Sequence, residues 1–245
     1  MFYWLKDEAS RAKLAAALQA LNELYPRVFA QDMLIALERN TGFHEDAEFM
    51  RAFAAEAADE QERSLVWRLH VLCWCARNAL NLPGDFVECG VYRAFSSAVA
   101  MRYLDFARLS RTWYLYDTFS GIPDDQLSPG TANPEPFRDP TLYERAKARV
   151  ARFPNARVVK GRVPEVFGET VPSEIAFLHL DMNSAAAELG ALDALLGKLV
   201  AGAYVVLDDY GWFAYREQKL AADRYFGELG YRVLELPTGQ GLVIV

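Results

Sequence analysis

Cysteine, histidine, surplus positive charge and long apolar runs are all scarce in this chain. Three cysteines (Cys73, Cys75, Cys89) in 245 residues exclude a disulfide framework. Cys73 and Cys75 stand at i and i+2 of a helical stretch, so they do not share a face and do not make a metal or redox pair. Three histidines (His44, His70, His179) leave little imidazole for a metal site or a general base. With 26 Lys and Arg against 33 Asp and Glu, the net charge is −7 and the isoelectric point about 5.1. That balance argues against nucleic acid or an anionic membrane as partner. No run approaches the roughly 20 apolar residues that span a bilayer. The opening Met-Phe-Tyr-Trp-Leu-Lys-Asp-Glu has no basic region, apolar core or cleavage site of a secretory signal. A cytoplasmic setting is expected.

What is present is ample core material: 52% of residues are hydrophobic and 24% charged, the balance of a globular protein. The pattern changes at Pro83-Gly84, dividing the chain into an N-terminal helical region, 1–82, and a second region, 83–245. Before the break, segments 8–24, near 28–38, 46–58 and 60–81 read as helix, interrupted at Asn40-Thr41-Gly42. The run around Leu65, Trp67, Leu69, Val71 and Leu72 is apolar almost all round and reads as buried. After the break, strands at about 85–89, 112–117, 156–160, 174–180, 203–208, 231–236 and 241–245 alternate with helices near 94–108, 140–152, 185–199 and 214–229. Continuous apolar strands separated by helices predict an α/β fold with a mostly parallel sheet covered on both faces. Only Pro237-Thr238-Gly239-Gln240 separates the last two strands, so they form a hairpin and the final strand runs antiparallel. Residues 121–139, with four prolines and two glycines, form a long loop and a candidate lid.

Ligands of open α/β sheets lie beyond the carboxyl ends of the strands, and three groups of residues fall there. Glu88-Cys89-Gly90-Val91-Tyr92 continues to Ser96 and Ser97, and Gly90 permits a tight strand-to-helix turn whose N–H groups can approach a ligand. A simple structural turn is the alternative. Tyr92 and Phe95 replace the second and third glycines of a dinucleotide fingerprint, which disfavours a dinucleotide-dependent oxidoreductase. Asp117 ends the next strand, placed either to accept ribose hydroxyls or to cap its own turn with Thr118 and Ser120. Asp181 and the Asp208-Asp209 pair end two further apolar runs. Carboxylates there need a cation or hydrogen bonds, and together they make an oxygen-rich site suited to Mg²⁺. Singly, Asp181 reads as a helix cap and Asp209 as a loop residue.

At these residues the chain resembles the macrocin O-methyltransferase family of class I S-adenosylmethionine-dependent methyltransferases. The matching stretches are Gly84-Asp85-Phe86-Val87-Glu88-Cys89-Gly90-Val91, Tyr116-Asp117-Thr118-Phe119-Ser120-Gly121-Ile122-Pro123, Leu178-His179-Leu180-Asp181, Leu207-Asp208-Asp209-Tyr210-Gly211 and Pro237-Thr238-Gly239-Gln240-Gly241. They run in family order over roughly two-thirds of the chain. The resemblance implies a Rossmann-like sheet of seven strands and transfer of a methyl group from S-adenosyl-L-methionine to a small-molecule hydroxyl, typically on a sugar of a natural product. Glu88 to Ser97, including Cys89, Val91, Tyr92 and Ser96, would surround the methionine part of the cofactor. Asp117, with Thr118 beside it, would bind the ribose, and Gly161-Arg162 would lie along the adenine. Asp181, Asp208 and Asp209 would hold Mg²⁺.

The family often carries Asp-x-Asp after the fourth strand, where the second acid can act as base. Here Asn183 takes that place beside Asp181: it can orient a hydroxyl but not accept its proton. Other members use a histidine after the second strand, and 118–178 contain none. His179 reads as a hydrogen-bonded core residue, His70 as structural and His44 as a solvated loop residue, so the base is unassigned. A metal-independent enzyme and a noncatalytic S-adenosylmethionine-binding protein are the alternatives. Tyr210, Trp212, Phe213 and Tyr215 serve equally for stacking on substrate or for packing. Arg145, Lys147, Arg149 and Arg152 read as a solvated helix face. The 65–81 helix and the aromatic Phe2, Tyr3 and Trp4 would suit a homodimer contact.

Overall fold

The computed structural model describes residues 2, 5–128 and 133–245; Tyr3 and Trp4, and the centre of the 121–139 loop, lie outside the described residues. The N-terminal region holds α1 (Glu8–Leu24), α2 (Ala47–Glu56), α3 (Glu60–Ser64) and α4 (Val66–Ala79). Asp7, Asp46 and Asp59 cap the first three, each carboxylate accepting a backbone N–H from the first turn.

Between α1 and α2, the segment near 28–38 is a hairpin and not the expected helix. Strands β1 (Val28–Gln31) and β2 (Leu34–Leu37) pair antiparallel with Val28 opposite Leu37 and Gln31 opposite Leu34. Asp32 and Met33, at φ 48° and 60°, form a two-residue turn whose twist suits a hairpin. Its alanine and leucine content mimics a helix, and no glycine marks the turn.

Beyond Gly84 come β3 (Asp85–Cys89), α5 (Phe95–Tyr103), β4 (Trp113–Asp117), α6 (Leu142–Val150), β5 (Ala156–Lys160) and β6 (Ile175–Leu180). They are followed by α7 (Ala185–Leu195), β7 (Leu199–Leu207), α8 (Arg216–Glu228), β8 (Leu234–Glu235) and β9 (Gly241–Ile244). The sheet has seven strands in the order β5-β4-β3-β6-β7-β9-β8, and β9 runs antiparallel to β7 and β8. The chain steps outward from β3 to β5, then returns to place β6 on the other side of β3. That reversal opens a crevice at the carboxyl ends of β3 and β6.

Side chains alternate across each strand. Phe86, Trp113 and Phe177 meet Phe106 on the face under α4 and α5. Val87, Cys89, Leu178, Leu180, Val205 and Leu207 bury the opposite face with residues of α7 and α8. The first cluster also takes in Phe29, Phe43, Phe49, Leu69 and Leu72, so the N-terminal region shares its core with the sheet. Arg111 strengthens that junction by donating to the carbonyls of Ala79, Leu80, Leu82 and Gly84 at 2.5–3.2 Å.

Arg149 and Arg152 are not simply solvated as expected. Arg149 donates to both oxygens of buried Glu62, at 2.9 and 2.8 Å, and to the carbonyl of Glu56. Arg152 and Arg102 both pair with Glu56. These contacts tie α6 to α2 and α3.

Arg111→Ala leaves a group of partly buried carbonyls without donors. It should lower unfolding free energy by about 2–4 kcal/mol, measured by urea denaturation; a loss within experimental error would show that water replaces the guanidinium.

Candidate active site

The crevice is a cavity of about 330 Å³ whose lining includes Gly90, Val91, Tyr92, Ser96, Asp117, Thr118 and Gly161. Gly90 sits at φ +89°, and a Cβ there would fall 1.9 Å from the carbonyl oxygen of Asp181. The loop after β3 therefore crosses the end of β6 with no room for any side chain, which is why glycine is required. Asp117 then fixes the loop: its Oδ2 accepts the N–H groups of Val91 and Tyr92 at 2.7 and 2.8 Å, and its Oδ1 that of Phe119 at 2.6 Å. A carboxylate has about four acceptor positions, so Asp117 keeps capacity for one hydroxyl while chiefly shaping the loop. Tyr92, Ala94 and Phe119 hold left-handed backbone at φ 49°, 55° and 50°, a strained conformation of the kind found around ligand sites.

Three other residues expected at the cofactor are outside the lining. Cys89 is buried against the opposite face of the sheet. Glu88 lies beneath the loop, bonded to His179 at 3.0 Å. The Arg162 guanidinium turns to Asp125, at 3.0 and 2.7 Å, and to Glu165.

The acids at the ends of β6 and β7 lie at the other end of the cavity. Glu88, His179 and Asp208 project on one side of neighbouring strands, as the two-residue period dictates. His179 bridges them, Nδ1 to Glu88 at 3.0 Å and Nε2 to Asp208 at 3.4 Å. Burial disfavours the imidazolium, yet the two carboxylates outweigh it and raise His179 to about 10. His179 is thus a buried cation with both nitrogens engaged.

Asp208 accepts two further contacts of note. Gln240 donates to Oδ1 at 2.9 Å, and Arg68 of α4 donates to Oδ2 at 2.6 Å. Burial would raise its carboxyl, but Arg68 and His179 hold it far below the usual carboxylate range. Arg68 also grips Asp32 of the hairpin turn, Nε to Oδ2 at 2.9 Å and Nη2 to Oδ1 at 3.1 Å.

For Asp181 and Asp209, burial and repulsion outweigh the relief that Arg68 gives, with His179 beside the first and Gln218 beside the second. Burial first, and repulsion from Asp208 and from each other, push Asp181 well up; burial, Asp208 and Glu188 do the same to Asp209. The Oδ2 of Asp209 is buried without a hydrogen-bond partner. Ligand atoms of His179, Asp181 and Asp208 lie within 4.8 Å of one another; Asp209 faces Glu188 and Gln218 instead. An orphaned carboxylate oxygen among repelling acids fits a hard divalent cation. Asp181 and Asp208 are the oxygen donors gathered there, Asp208 being shared with Arg68; Asp209, with its orphaned Oδ2, was expected among them and adjoins that group from outside it.

Arg68, Asp32, Glu188 and Gln218 were not singled out from sequence, since nothing in their local patterns marks them. Glu188 on α7 accepts from Gln218 at 2.6 Å, and burial raises its carboxyl to about 8. Asn183 lines the cavity at φ 54°. Asparagine is among the few non-glycine residues that accept this backbone readily, which gives its presence a conformational reason.

Two outcomes are expected. Asp117→Asn should cost about 1–3 kcal/mol and weaken an adenosyl ligand, as followed by denaturation and by titration with S-adenosylhomocysteine. Between its unfolded value of about 4.5 and its folded value of about 8, Glu188 binds more protons in the folded than in the unfolded state. Its contribution therefore falls as pH rises through that window, and Glu188→Gln should remove this component from a plot of Tm against pH.

Residues 66–226 match the macrocin-O-methyltransferase (TylF) family. The chain is 30% identical to the 8-demethyl-8-(2,3-dimethoxy-alpha-L-rhamnosyl)-tetracenomycin-C 4'-O-methyltransferase of Streptomyces olivaceus, over 66% of each chain. It is 28% identical to the mycinamicin III 3''-O-methyltransferase of Micromonospora griseorubida, over 61% of this chain and 65% of that one. The chain spans just under two thirds of the length of these relatives. Among solved structures, the O-methyltransferase NovP superposes with a TM-score of 0.61 at 22% identity, covering 73% of this chain and 79% of that one. The sheet order, with its antiparallel C-terminal strand, is the class I methyltransferase arrangement. Since the family match takes in the loop after β3, Asp117 and all three acids at the ends of β6 and β7, the chain belongs to the macrocin O-methyltransferase family.

Proposed function

We propose that this protein transfers a methyl group from S-adenosyl-L-methionine to a hydroxyl of a small molecule, on a sugar of a glycosylated natural product, with assistance from Mg²⁺. One observation carries the reading. A loop with the close approach of Gly90 and the clamp of Asp117 opens into the same cavity as three closely set carboxylates, one of which has a buried oxygen without a partner. The printed activities of the relatives, O-methylation at sugar positions, support the acceptor class.

The loop N–H groups and Asp117 would set the position of the adenosyl and methionine parts. Bound S-adenosylmethionine supplies an electrophilic methyl group. Asp181 and Asp209, with Asp208, would hold Mg²⁺, which when bound lowers the pKa of a coordinated hydroxyl and fixes its direction. Tyr92, Phe137, Trp212 and Tyr215 line the cavity and offer flat apolar surfaces to a sugar ring or aglycone. Asn183 can hold a hydroxyl by hydrogen bonding but cannot take its proton. His179 is enclosed with both ring nitrogens engaged by carboxylates and does not serve as base. Asp181 and Asp209 are both lining carboxylates whose proton affinity burial raises; as metal ligands in this reading, neither is assigned as base.

The metal-independent alternative has one observation in its favour: Arg68 already supplies positive charge to Asp208. Methylation of glycosylated acceptors should stop on removal of divalent ions with EDTA and return with Mg²⁺. Asp181→Asn should lower kcat/KM by a factor on the order of 10² or more. Turnover indifferent to EDTA would exclude the metal role, and turnover surviving Asp181→Asn would exclude the assigned mechanism.

A further inference from the structure

Arg68 has two seats. Its Nε and Nη2 grip both oxygens of Asp32, and its Nη1 separately reaches Asp208. Trp212 lies against the guanidinium, 4.9 Å from its ring centroid, and Arg68 itself lines the cavity. The forked contact uses N–H groups distinct from the one on Asp208. Asp208 can therefore be released without the arginine leaving its place.

Both oxygens of Asp208 are engaged. Gln240 and His179 take Oδ1, and Arg68 takes Oδ2. A divalent ion reaching Asp208 from the cavity meets Arg68 on Oδ2. Gln240 and His179 are fully enclosed and do not line the cavity, whereas Arg68 lines it and has Asp32 to hold it. A guanidinium and a divalent ion on one buried carboxylate also repel strongly.

We propose that Arg68 is a tethered cation that shares Asp208 with a divalent ion. It neutralises Asp208 while no ion is bound and withdraws to Asp32 when one binds, so the hairpin sets how tightly the site holds its ion. The inference rests on the metal-assisted reading above. It makes Arg68 and Asp32 positioning residues, acting through Asp208.

The two residues have opposite predicted effects. Arg68→Met removes the competitor, and Asp32→Asn removes the seat to which it withdraws. Binding of Mn²⁺ to the full chain, without S-adenosylmethionine or acceptor, is read from the spectrum of the free ion by electron paramagnetic resonance. Arg68→Met should bind Mn²⁺ about tenfold more tightly than the wild type and Asp32→Asn about tenfold more weakly. A merely structural role would weaken both. Unchanged or weaker binding by Arg68→Met, in a protein with native circular dichroism, overturns the inference while leaving the metal reading standing.

If Arg68→Met does not fold, a crystal structure of the wild type with Mn²⁺ decides. Nη1 should lie beyond hydrogen-bonding reach of Asp208 with the Asp32 fork retained; an arginine still bonded to Asp208 beside the ion overturns the proposal. Absence of Mn²⁺ binding in the wild type and both variants removes the metal reading and this inference together.

Discussion

The end of the sheet is organised around one electrostatic constraint: carboxylates have been gathered where water cannot solvate them. Buried Asp32, Glu88, Glu188, Asp208 and Asp209, with half-buried Asp181 at the cavity wall, are set against the side-chain cations Arg68 and His179. Burying a carboxylate costs several kcal/mol unless it is paired or protonated, and both remedies are in use here. Asp208 keeps its charge through Arg68, His179 and Gln240, while Asp181, Asp209 and Glu188 are driven toward the protonated form. The packing of α4 and of the hairpin in the shared core brings Arg68 to that point.

The same constraint explains what could be read in the sequence. Strands that end in acids are local patterns, and Asp117, Asp181, Asp208 and Asp209 stood out because each interrupts an apolar run. The order of elements and the antiparallel final strand follow from loop length and periodicity, and they are present as expected. What answers each acid is not local. Arg68 lies 140 residues from Asp208 and 36 from Asp32, and no spacing rule connects them. Glu188 looks in sequence like an ordinary helix residue, and only its burial against Gln218 sets it apart.

The misread segments fail for physical reasons of the same kind. Residues 28–37 have helical composition, but a turn at Asp32-Met33 in left-handed backbone converts them to a hairpin. Tertiary context overrides propensity there. Arg149 carries the charge pattern of a wet helix face, yet it turns inward because Glu62 is buried opposite it, while Arg152 stays exposed and pairs with Glu56 from the surface. Asn183 looked like a lost base by comparison with its family; its backbone conformation supplies an independent reason for an amide or acid of that size.

The sharing of one aromatic core between the N-terminal helices and the sheet bears on how such a pocket can diversify. Gln61, Glu62, Leu65 and Arg68 reach the cavity from helices whose undersides are locked into that core and into buried ion pairs. Of these, Gln61 and Leu65 take no part in the ion pairs described above. Change of acceptor preference during descent is thereby channelled into a few positions on the cavity side of α3 and α4. The remainder of those helices is held by the demands of folding, and so evolves at the pace of a core.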